Sequence, residues 1–475
     1  MMKEFKLGIL GQQPLQSIYT PITLAYAVDD ETNHSNIIDT LKTGLLKLTE
    51  SFPWVAGQVV NEGATLENSG IYKIVPFEEH PPLVVKDLRD DPNISTFASL
   101  KETKFPCSAP VLDENVLSAR HGMACFFDHA SPRPALFVQA TFIKGGLLLT
   151  FTAHHLVFDM IGQGHIMSLL SKACHGLTFN RKELASGNLS RENLIPFLDR
   201  SVNPMDDPSY DFQLAKPKPA VEATTTTTAT LEDSQSELES TPAAMPELPK
   251  ATWAYFSFDA TSLATLKADT HTSRLDSVPY ISTDDAVTAL IYQSAIRARL
   301  PRIDPTSQIS LTRTVDMRRA MNVPETHPGL MMNMVYRSMQ AQQLVDQDLG
   351  ALASLLREDL LDEPRLVQRT RGLATLLRDL PNKWGLSFTA GINLDINMLS
   401  SSWAKVQCHH LEFNLGLGRP VAVRRPVWTP SVENVSYLMP KSPEGEIIVG
   451  ICLRDADMER LKVDPVFNKY GQYIG

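Results

Sequence analysis

The stretch LLLTFTAHHLVFD, residues 147–159, decides the fold because it joins a buried strand to a motif of reactive side chains. The apolar run at residues 135–143 precedes it, and the Lys144-Gly145-Gly146 turn between the two runs predicts a β-hairpin. Beyond Asp159, apolar residues recur at helical spacing and predict a helix that ends near His175-Gly176. The motif therefore lies where a strand ends and a helix begins, a common place for a reactive group beside a cleft.

The pair His154-His155 is the candidate for chemistry in this motif. An imidazole takes up a proton near neutral pH, so His155 is able to act as a general base on a hydroxyl group. Asp159, four residues on, either caps the following helix or holds an arginine. A short pattern of this kind also arises by chance, as a satisfied histidine beside a capping aspartate. On the motif alone, the catalytic and the structural interpretations both stay open.

Composition restricts the class of protein. The chain has 475 residues and a net charge of -10, so it has material for two or three domains and lacks the basic balance of a nucleic-acid binder. Its five cysteines are scattered and show no metal-binding spacing, which favours small buried residues in a reducing compartment. We see no signal-peptide pattern and no apolar run long enough to span a bilayer. We therefore expect a cytoplasmic enzyme with no membrane partner.

A change of composition divides the chain into two halves. Residues 204–250 contain several prolines, consecutive threonines and an acidic run, so we predict a disordered crossover linker there, with a lid as the less favoured alternative. This leaves an N-terminal domain at residues 1–203 and a C-terminal domain at residues 251–475. Both halves mix strands and helices: we predict strands at 18–28, 253–258, 308–315 and 447–453, and helices at 36–52, after Asp259, from Ser282 and at 455–461.

A second motif, Asn414-Leu415-Gly416-Leu417-Gly418-Arg419-Pro420, lies late in the second half. Its glycines permit a tight backbone course or the close approach of another segment, with a surface turn as the alternative. Arg419, Arg424 and Arg425 form a basic stretch, for which we favour a solvated charged loop over direct contact with phosphate. The pair His409-His410 has no aspartate four residues on, and we interpret it as structural.

Together the two motifs resemble the paired signature of the BAHD acyltransferases, HHxxxD in the first half and a DFGWG-like motif in the second. Further blocks are similar to that family and follow its order: residues 41–58, 282–286, 315–319, 329–333, 458–460 and 464–465. The segments GQQP (11–14), FPWVAGQV (52–59) and DMIGQ (159–163) are most similar to its fungal trichothecene 3-O-acetyltransferase branch. Two departures are Asn414 for aspartate and Leu417 for tryptophan. Because that motif is mainly structural in the family, we expect activity to survive them.

The resemblance implies an α/β fold of two similar chloramphenicol-acetyltransferase-like domains, each of mixed sheet and helices, with a channel between them. It implies acetyl-CoA as co-substrate, no permanently bound cofactor, no metal ion, a small alcohol of fungal secondary metabolism as acceptor, and a monomer. In this interpretation His155 is the general base and Asp159 pairs with Arg318. The residues assigned to structure at the site are Asn414, Gly416 and Gly418, and those assigned to coenzyme A phosphates are Ser282, Thr283 and Arg419.

Two other classes of protein remain as alternatives. A condensation-type enzyme also carries HHxxxD on a related fold, but it takes a thioester tethered to a carrier protein. The NLGLG block and the lack of a carrier domain favour free coenzyme A. A non-catalytic interaction protein is the third class, and the intact His155 and Asp159 count against it.

Overall fold

The first half of the chain builds seven strands and six helices within the residues described. The computed structural model describes residues 4–29, 34–128, 130–215, 250–428 and 431–475. The strands are β1 (Phe5–Lys6), β2 (Tyr19–Ala27), β3 (Gln58–Glu62), β4 (Ile71–Val75), β5 (Leu83–Asp87), β6 (Leu136–Ile143) and β7 (Gly146–His154). The helices are α1 (His34–Ser51), α2 (Phe97–Glu102), α3 (Glu114–Leu117), α4 (Ala124–Phe127), α5 (Met160–Cys174) and α6 (Arg181–Gly187).

The described part of the second half adds eight strands and seven helices. The strands are β8 (Ala251–Phe258), β9 (Gln308–Asp316), β10 (Met332–Gln340), β11 (Met398–Ser402), β12 (Ala422–Arg424), β13 (Val435–Leu438), β14 (Ile447–Arg454) and β15 (Gln472–Tyr473). The helices are α7 (Ala260–Thr272), α8 (Thr283–Arg299), α9 (Ala341–Asp346), α10 (Leu349–Leu361), α11 (Glu363–Asp379), α12 (Asp455–Lys462) and α13 (Pro465–Asn468). Single 3₁₀ turns lie at Ile9–Gln12, Pro14–Gln16, Pro53–Ala56, Pro110–Leu112, Pro204–Asp206, Pro208–Phe212 and Cys408–His410.

The β6–β7 hairpin is the centre of the first sheet, whose strand order is β12-β2-β7-β6-β5. Its glycine turn and its two strands confirm the predicted hairpin. Strand β2 pairs antiparallel with β7 and sets Tyr19 opposite His154 at the end of the hairpin. Strand β12 comes from the second half and pairs with the outer edge of β2. The two predicted domains are therefore interleaved, because residues 422–424 complete a sheet that the first half begins.

The second sheet has seven strands in the order β10-β9-β11-β13-β14-β8-β15. Helix α8 packs against it and is buried on nearly every side, as expected for a helix that is apolar on most of its faces. Strand β11 runs parallel to both β9 and β13, while the other pairs are antiparallel. Both halves thus have the mixed α/β architecture that the sequence predicts. A third, three-stranded sheet of order β1-β4-β3 flanks the first half.

The first residues of the predicted linker are folded. Within residues 204–215, Tyr210 is buried and its hydroxyl donates to the Arg369 carbonyl on α11. Gln213 is fully buried and donates from Nε2 to Asn333 Oδ1 over 3.1 Å. The prediction of disorder from Pro204 onward is therefore wrong for these twelve residues, because the side chains of Tyr210 and Gln213 bind them to the second half. The rest of the predicted linker, residues 216–249, lies outside the described residues.

A large apolar cluster joins the two halves. It contains first-half residues such as Leu149 and Phe151 together with second-half residues such as Trp403 and Phe413. Phe151 and Phe413 stack with ring centroids 5.5 Å apart. The halves therefore share part of one core, which fixes their relative position at the end of β7. Among the described helices, none combines the length and the apolar character needed to cross a membrane.

Candidate active site

His155 is the first residue after β7, and its main chain is fixed by the neighbouring strand. Its N–H donates to the Ile18 carbonyl over 2.8 Å. The residue is partly exposed, yet its Nδ1 atom is buried and makes no hydrogen bond to another residue. Burial lowers the pKa of His155 below its ordinary value, although its own main-chain carbonyl and the Asp159 carboxylate oppose that shift. At neutral pH the ring is therefore an uncharged imidazole, which is able to accept a proton.

His154 is a different kind of histidine. Its side chain is fully buried, and burial lowers its pKa to about 3. The ring accepts a hydrogen bond at Nδ1 from Leu156 N–H over 3.3 Å, which places the proton of the neutral ring on Nε2. That nitrogen lies 3.6 Å from Cys125 Sγ. Both ring nitrogens are occupied within the protein, so His154 supports the turn that carries His155.

Asp159 caps α5, and its carboxylate binds to the second half of the chain. Oδ1 accepts from Gly162 N–H over 2.7 Å and from Arg318 Nη2 over 2.8 Å. Oδ2 accepts from Met331 N–H over 2.8 Å. Burial alone would raise the pKa of Asp159, but the Arg318 cation and these hydrogen bonds hold it below its ordinary value. The carboxylate is therefore charged, and its partners in the structure are Arg318 and two main-chain N–H groups.

Arg318 is completely buried and binds four oxygen atoms. Besides Asp159, it donates from Nη1 to Asp316 Oδ1, from Nε to the His327 carbonyl and from Nη2 to the Gly329 carbonyl, over 2.7 to 2.8 Å. The segment 327–331 is thereby held against the first turn of α5. The first turn of α5 and this segment are so close that a Cβ on Gly162 would lie 2.1 Å from the Pro328 carbonyl oxygen. The two halves of the chain therefore meet directly beside His155.

The NLGLG motif lies at the opposite end of α5. Asn414 Nδ2 donates to the Cys174 carbonyl over 3.3 Å, and Phe413 N–H donates to Ser171 Oγ over 3.2 Å. Gly416 and Gly418 have φ angles of +74° and +69°, a region that favours glycine. Since α5 has 15 residues, the motif is about 20 Å from Asp159 along the helix. At that distance it contacts the scaffold of the site and not His155.

Two of the residues assigned to coenzyme A are engaged in starting α8. Ser282 is its N-cap, and its hydroxyl donates to Asp285 Oδ2 over 2.7 Å and accepts from Arg357 Nη2 over 2.6 Å. Thr283 is the first helical residue and is half-buried. The helix start that the sequence predicts is confirmed, but the Ser282 hydroxyl is already occupied. A phosphate there would have to bind main-chain N–H groups beside the carboxylates of the first turn.

The basic stretch after NLGLG divides into one exposed and two buried arginines. Arg419 is 58% exposed and lies 3.6 Å from Glu412. Arg424 is buried and donates to the carbonyls of Lys104 and Phe105. Arg425 is buried with its guanidinium over the Trp428 ring, 4.1 Å from the ring centroid. The solvated loop predicted from the sequence is therefore wrong for Arg424 and Arg425. Arg424 is the last residue of strand β12, Arg425 follows it, and both side chains are buried in the protein.

The fold and the site together define a class of protein. Two α/β halves share a core, and a neutral histidine at the end of a hairpin lies four residues before an aspartate that forms a buried ion pair with an arginine of the other half. This is the arrangement implied for an acyltransferase with the HHxxxD motif. Comparison with known proteins then identifies the family.

The family models match the chain almost end to end. A trichothecene 3-O-acetyltransferase-like N-terminal domain matches residues 18–174, and the transferase family matches residues 125–467. The chain is 44% identical to trichothecene 3-O-acetyltransferase TRI101 of Fusarium sporotrichioides, over 99% of this chain and 97% of that protein. It is 38% identical to the trichothecene 3-O-acetyltransferase of Saccharomyces cerevisiae, over 100% of this chain and 97% of that one.

Solved structures agree with these matches. The crystal structure of F. sporotrichioides TRI101 complexed with coenzyme A and T-2 superposes with a TM-score of 0.89 at 42% identity, over 100% of both chains. Vinorine synthase superposes with a TM-score of 0.64 at 16% identity, over 100% of this chain and 95% of that one, and shares the fold. The chain belongs to the BAHD-type transferase family, in its trichothecene 3-O-acetyltransferase-like branch, and it is an O-acetyltransferase.

Proposed function

We propose that this O-acetyltransferase moves the acetyl group of acetyl-CoA to a hydroxyl of a trichothecene-like terpenoid alcohol, with His155 as general base. The observation that carries the role of His155 is that its ring is not tied to another residue through Nδ1. Its main-chain N–H is fixed to Ile18, while its ring makes no hydrogen bond through Nδ1 to another residue and is uncharged at neutral pH. The choice of donor and acceptor rests on relatives crystallised with coenzyme A and T-2, or with coenzyme A and deoxynivalenol.

The proposed reaction is a direct transfer. His155 Nε2 takes the proton of the acceptor hydroxyl as its oxygen attacks the thioester carbonyl carbon. The C–S bond of the resulting tetrahedral adduct then breaks, the thiolate takes the proton from His155, and an ester and free coenzyme A are released. A base with a pKa below that of a free imidazole stays unprotonated between turnovers at neutral pH. The acyl group never binds covalently to the protein in this scheme.

Asp159 is proposed to position the histidine and not to share its proton. The support is geometric, because the carboxylate bonds to Arg318, Met331 and Gly162. Asn414, Gly416 and Gly418 are proposed as structural residues, since their loop packs on the far end of α5.

The proposed contacts to coenzyme A remain Ser282, Thr283 and Arg419. Ser282 and Thr283 lie at the N-terminus of the 17-residue helix α8, where main-chain N–H groups attract phosphate, and this favours their role. The Ser282 hydroxyl is already hydrogen-bonded to Asp285 and Arg357, which counts against its direct contact with phosphate. Arg419 offers an exposed cation. We propose two domains at residues 1–203 and 251–475, of which the second contributes strand β12 to the sheet of the first. We also propose a cytoplasmic monomer with no nucleic-acid or membrane partner. The net charge of -10 supports the lack of a nucleic-acid partner.

A product assay tests this function. The protein is mixed with acetyl-CoA and a panel of trichothecene and other sesquiterpenoid alcohols, and products are analysed by mass spectrometry for the gain of one acetyl group. A parallel arm supplies acetyl on carrier-tethered phosphopantetheine, and His155→Ala is the matched inactive control. Acetylation from free acetyl-CoA that requires His155 supports the proposal. Transfer from the tethered thioester alone, or equal turnover by His155→Ala, would contradict it.

A further inference from the structure

Arg191 lies behind the turn that carries His155. Arg191 follows α6 in the first half of the chain. Its guanidinium stacks on the Trp54 ring, 4.2 Å from the ring centroid. From there Nη1 donates to the Val157 carbonyl over 3.2 Å. Val157 is two residues from both His155 and Asp159. The guanidinium therefore binds the midpoint of the turn that joins the candidate base to its interdomain ion pair.

The electrostatic surroundings of Arg191 are unusual. Burial lowers its pKa to about 9, so the side chain is still cationic at neutral pH. No carboxylate among the described residues lies within ion-pair distance of it; Asp159 attracts it only at longer range and is bonded to Arg318. Its Nη2 atom is buried without a hydrogen bond. Removing this partly buried cation from water costs stability, because its contacts are one main-chain carbonyl and the Trp54 ring; its contact with the turn is therefore the feature that favours arginine here.

Trp54 connects Arg191 to the rest of the turn. Its indole N–H donates to the Gly187 carbonyl over 3.0 Å, which fixes the ring against the end of α6. The same ring packs on Phe158, with centroids 5.5 Å apart. Trp54 and Arg191 thus form a stacked layer that contacts two consecutive residues of the turn, Val157 and Phe158. This gives a structural reason for the FPWVAGQV block, which the candidate chemistry leaves unexplained.

We infer that Arg191 is a positioning residue for His155, acting through the Val157 carbonyl. The inference rests on the proposed role of His155. The turn then has three anchors: the His155 N–H on Ile18, the Val157 carbonyl on Arg191 and the Asp159 carboxylate on Arg318. Arg318 holds the turn from the second half and Arg191 holds it from the first. Loss of the middle anchor lets the His155 ring move relative to the bound substrates, and displacements near 1 Å cost catalysis heavily.

The test compares two variants of Arg191 with a matched control. Arg191→Met keeps a long side chain but removes the hydrogen-bond donors and the charge. Arg191→Lys keeps the charge but loses the planar guanidinium and its stacking on Trp54. Arg371→Met is the control, because Arg371 also donates to main-chain carbonyls, those of Pro196 and Phe197, away from the turn. We measure kcat and KM for both substrates well below the melting temperature of every variant. For Arg191→Met we expect kcat to fall about 10- to 100-fold, with each KM changed less than about twofold.

Further outcomes separate positioning from a purely structural role. Arg191→Lys is expected to keep part of the kcat that Arg191→Met loses. In a third variant, folded Arg191→Ala, millimolar guanidinium ion is expected to raise kcat, while it leaves the kcat of the matched Arg371→Ala unchanged. Parental kcat in Arg191→Met overturns the inference, as does a loss of kcat shared equally by Arg371→Met, or a defect found only in KM. If His155→Ala retains turnover, the proposed function fails instead, so the two failures are distinguishable.

Discussion

Arg318 Nη2 donates to Asp159 Oδ1 over 2.8 Å, and this bond joins the two halves of the chain immediately beside His155. The pair is buried on both sides, with Arg318 at 0% and Asp159 at 5% exposure. Ion pairs of this kind are costly to break from one side, because the buried partner loses a charged neighbour; without Asp159, Arg318 would keep Asp316 as its one carboxylate partner. The site is therefore assembled by an interaction between halves, and its stability is linked to that of the interface.

Removal of the carboxylate should lower both stability and turnover. We expect Asp159→Ala to reduce the free energy of unfolding by roughly 3–5 kcal/mol, because Arg318 loses one of its two carboxylate partners and the buried Met331 N–H loses its acceptor. His155→Ala should reduce turnover by about two to four orders of magnitude without comparable loss of stability. Thermal unfolding and steady-state kinetics on the two variants check this difference. Equal stability of both variants would show that the ion pair contributes little.

The pH dependence of turnover should report the neutral state of His155. Burial lowers the pKa of this base, so its unprotonated form persists to lower pH than that of a free imidazole, whose pKa is about 6.5. We expect kcat/KM to be constant near neutral pH and to fall only when acid protonates the base, at a pH below that ordinary value. The measurement is kcat/KM against pH with saturating acetyl-CoA. An acid limb centred above 6.5 would contradict the lowered pKa.

The hairpin and its flanks were predictable because they are local. Two apolar runs joined by a glycine turn specify β6 and β7, and Asp159 followed by helical spacing specifies the start of α5. The sequence also predicts the start of α8, since Ser282 and Asp285 form a capping box there. In each case the determining contacts lie within a few residues of one another.

Features that depend on distant partners were missed. Strand β12 has three residues, and only pairing with β2, about four hundred positions away, makes it a strand and buries Arg424. Helices α10 and α11 are also absent from the prediction, although α11 has a local start signal, with Asp362 as its N-cap and Pro364 in its first turn. The supporting role of Arg191 has no local pattern either, since its partners Trp54 and Val157 are remote in sequence.

Acid should destabilise the fold through its buried histidines. Burial lowers the pKa of His154 to about 3 and that of His327 to about 4, whereas both titrate near 6.5 in the unfolded chain. The unfolded state therefore binds more protons below pH 6.5, and stability that is complete above that pH is lost as pH falls towards 4. We expect His327→Gln to flatten this loss, and exposed His271→Gln to leave it unchanged. The loss of stability is measured as the melting temperature from pH 8 to 4. Equal dependence of the melting temperature on pH in both variants would contradict the assignment of this loss to His327.

The NLGLG loop should affect stability more than catalysis. Gly416 has a φ of +74°, and a Cβ at this position would meet no atom within 4 Å, so the cost of Gly416→Ala is backbone strain alone. For an L-residue in the left-handed region that strain is about 1–2 kcal/mol. Because the loop packs on the Cys174 end of α5, about 20 Å from Asp159, we expect kcat to remain within about twofold of the parent. Val421→Ala, at a neighbouring exposed position, is the control for substitution in this region. A large fall in kcat of folded Gly416→Ala at unchanged KM would assign the loop a direct part in the reaction, whereas a rise in KM for acetyl-CoA alone would place it at the coenzyme A site with Arg419.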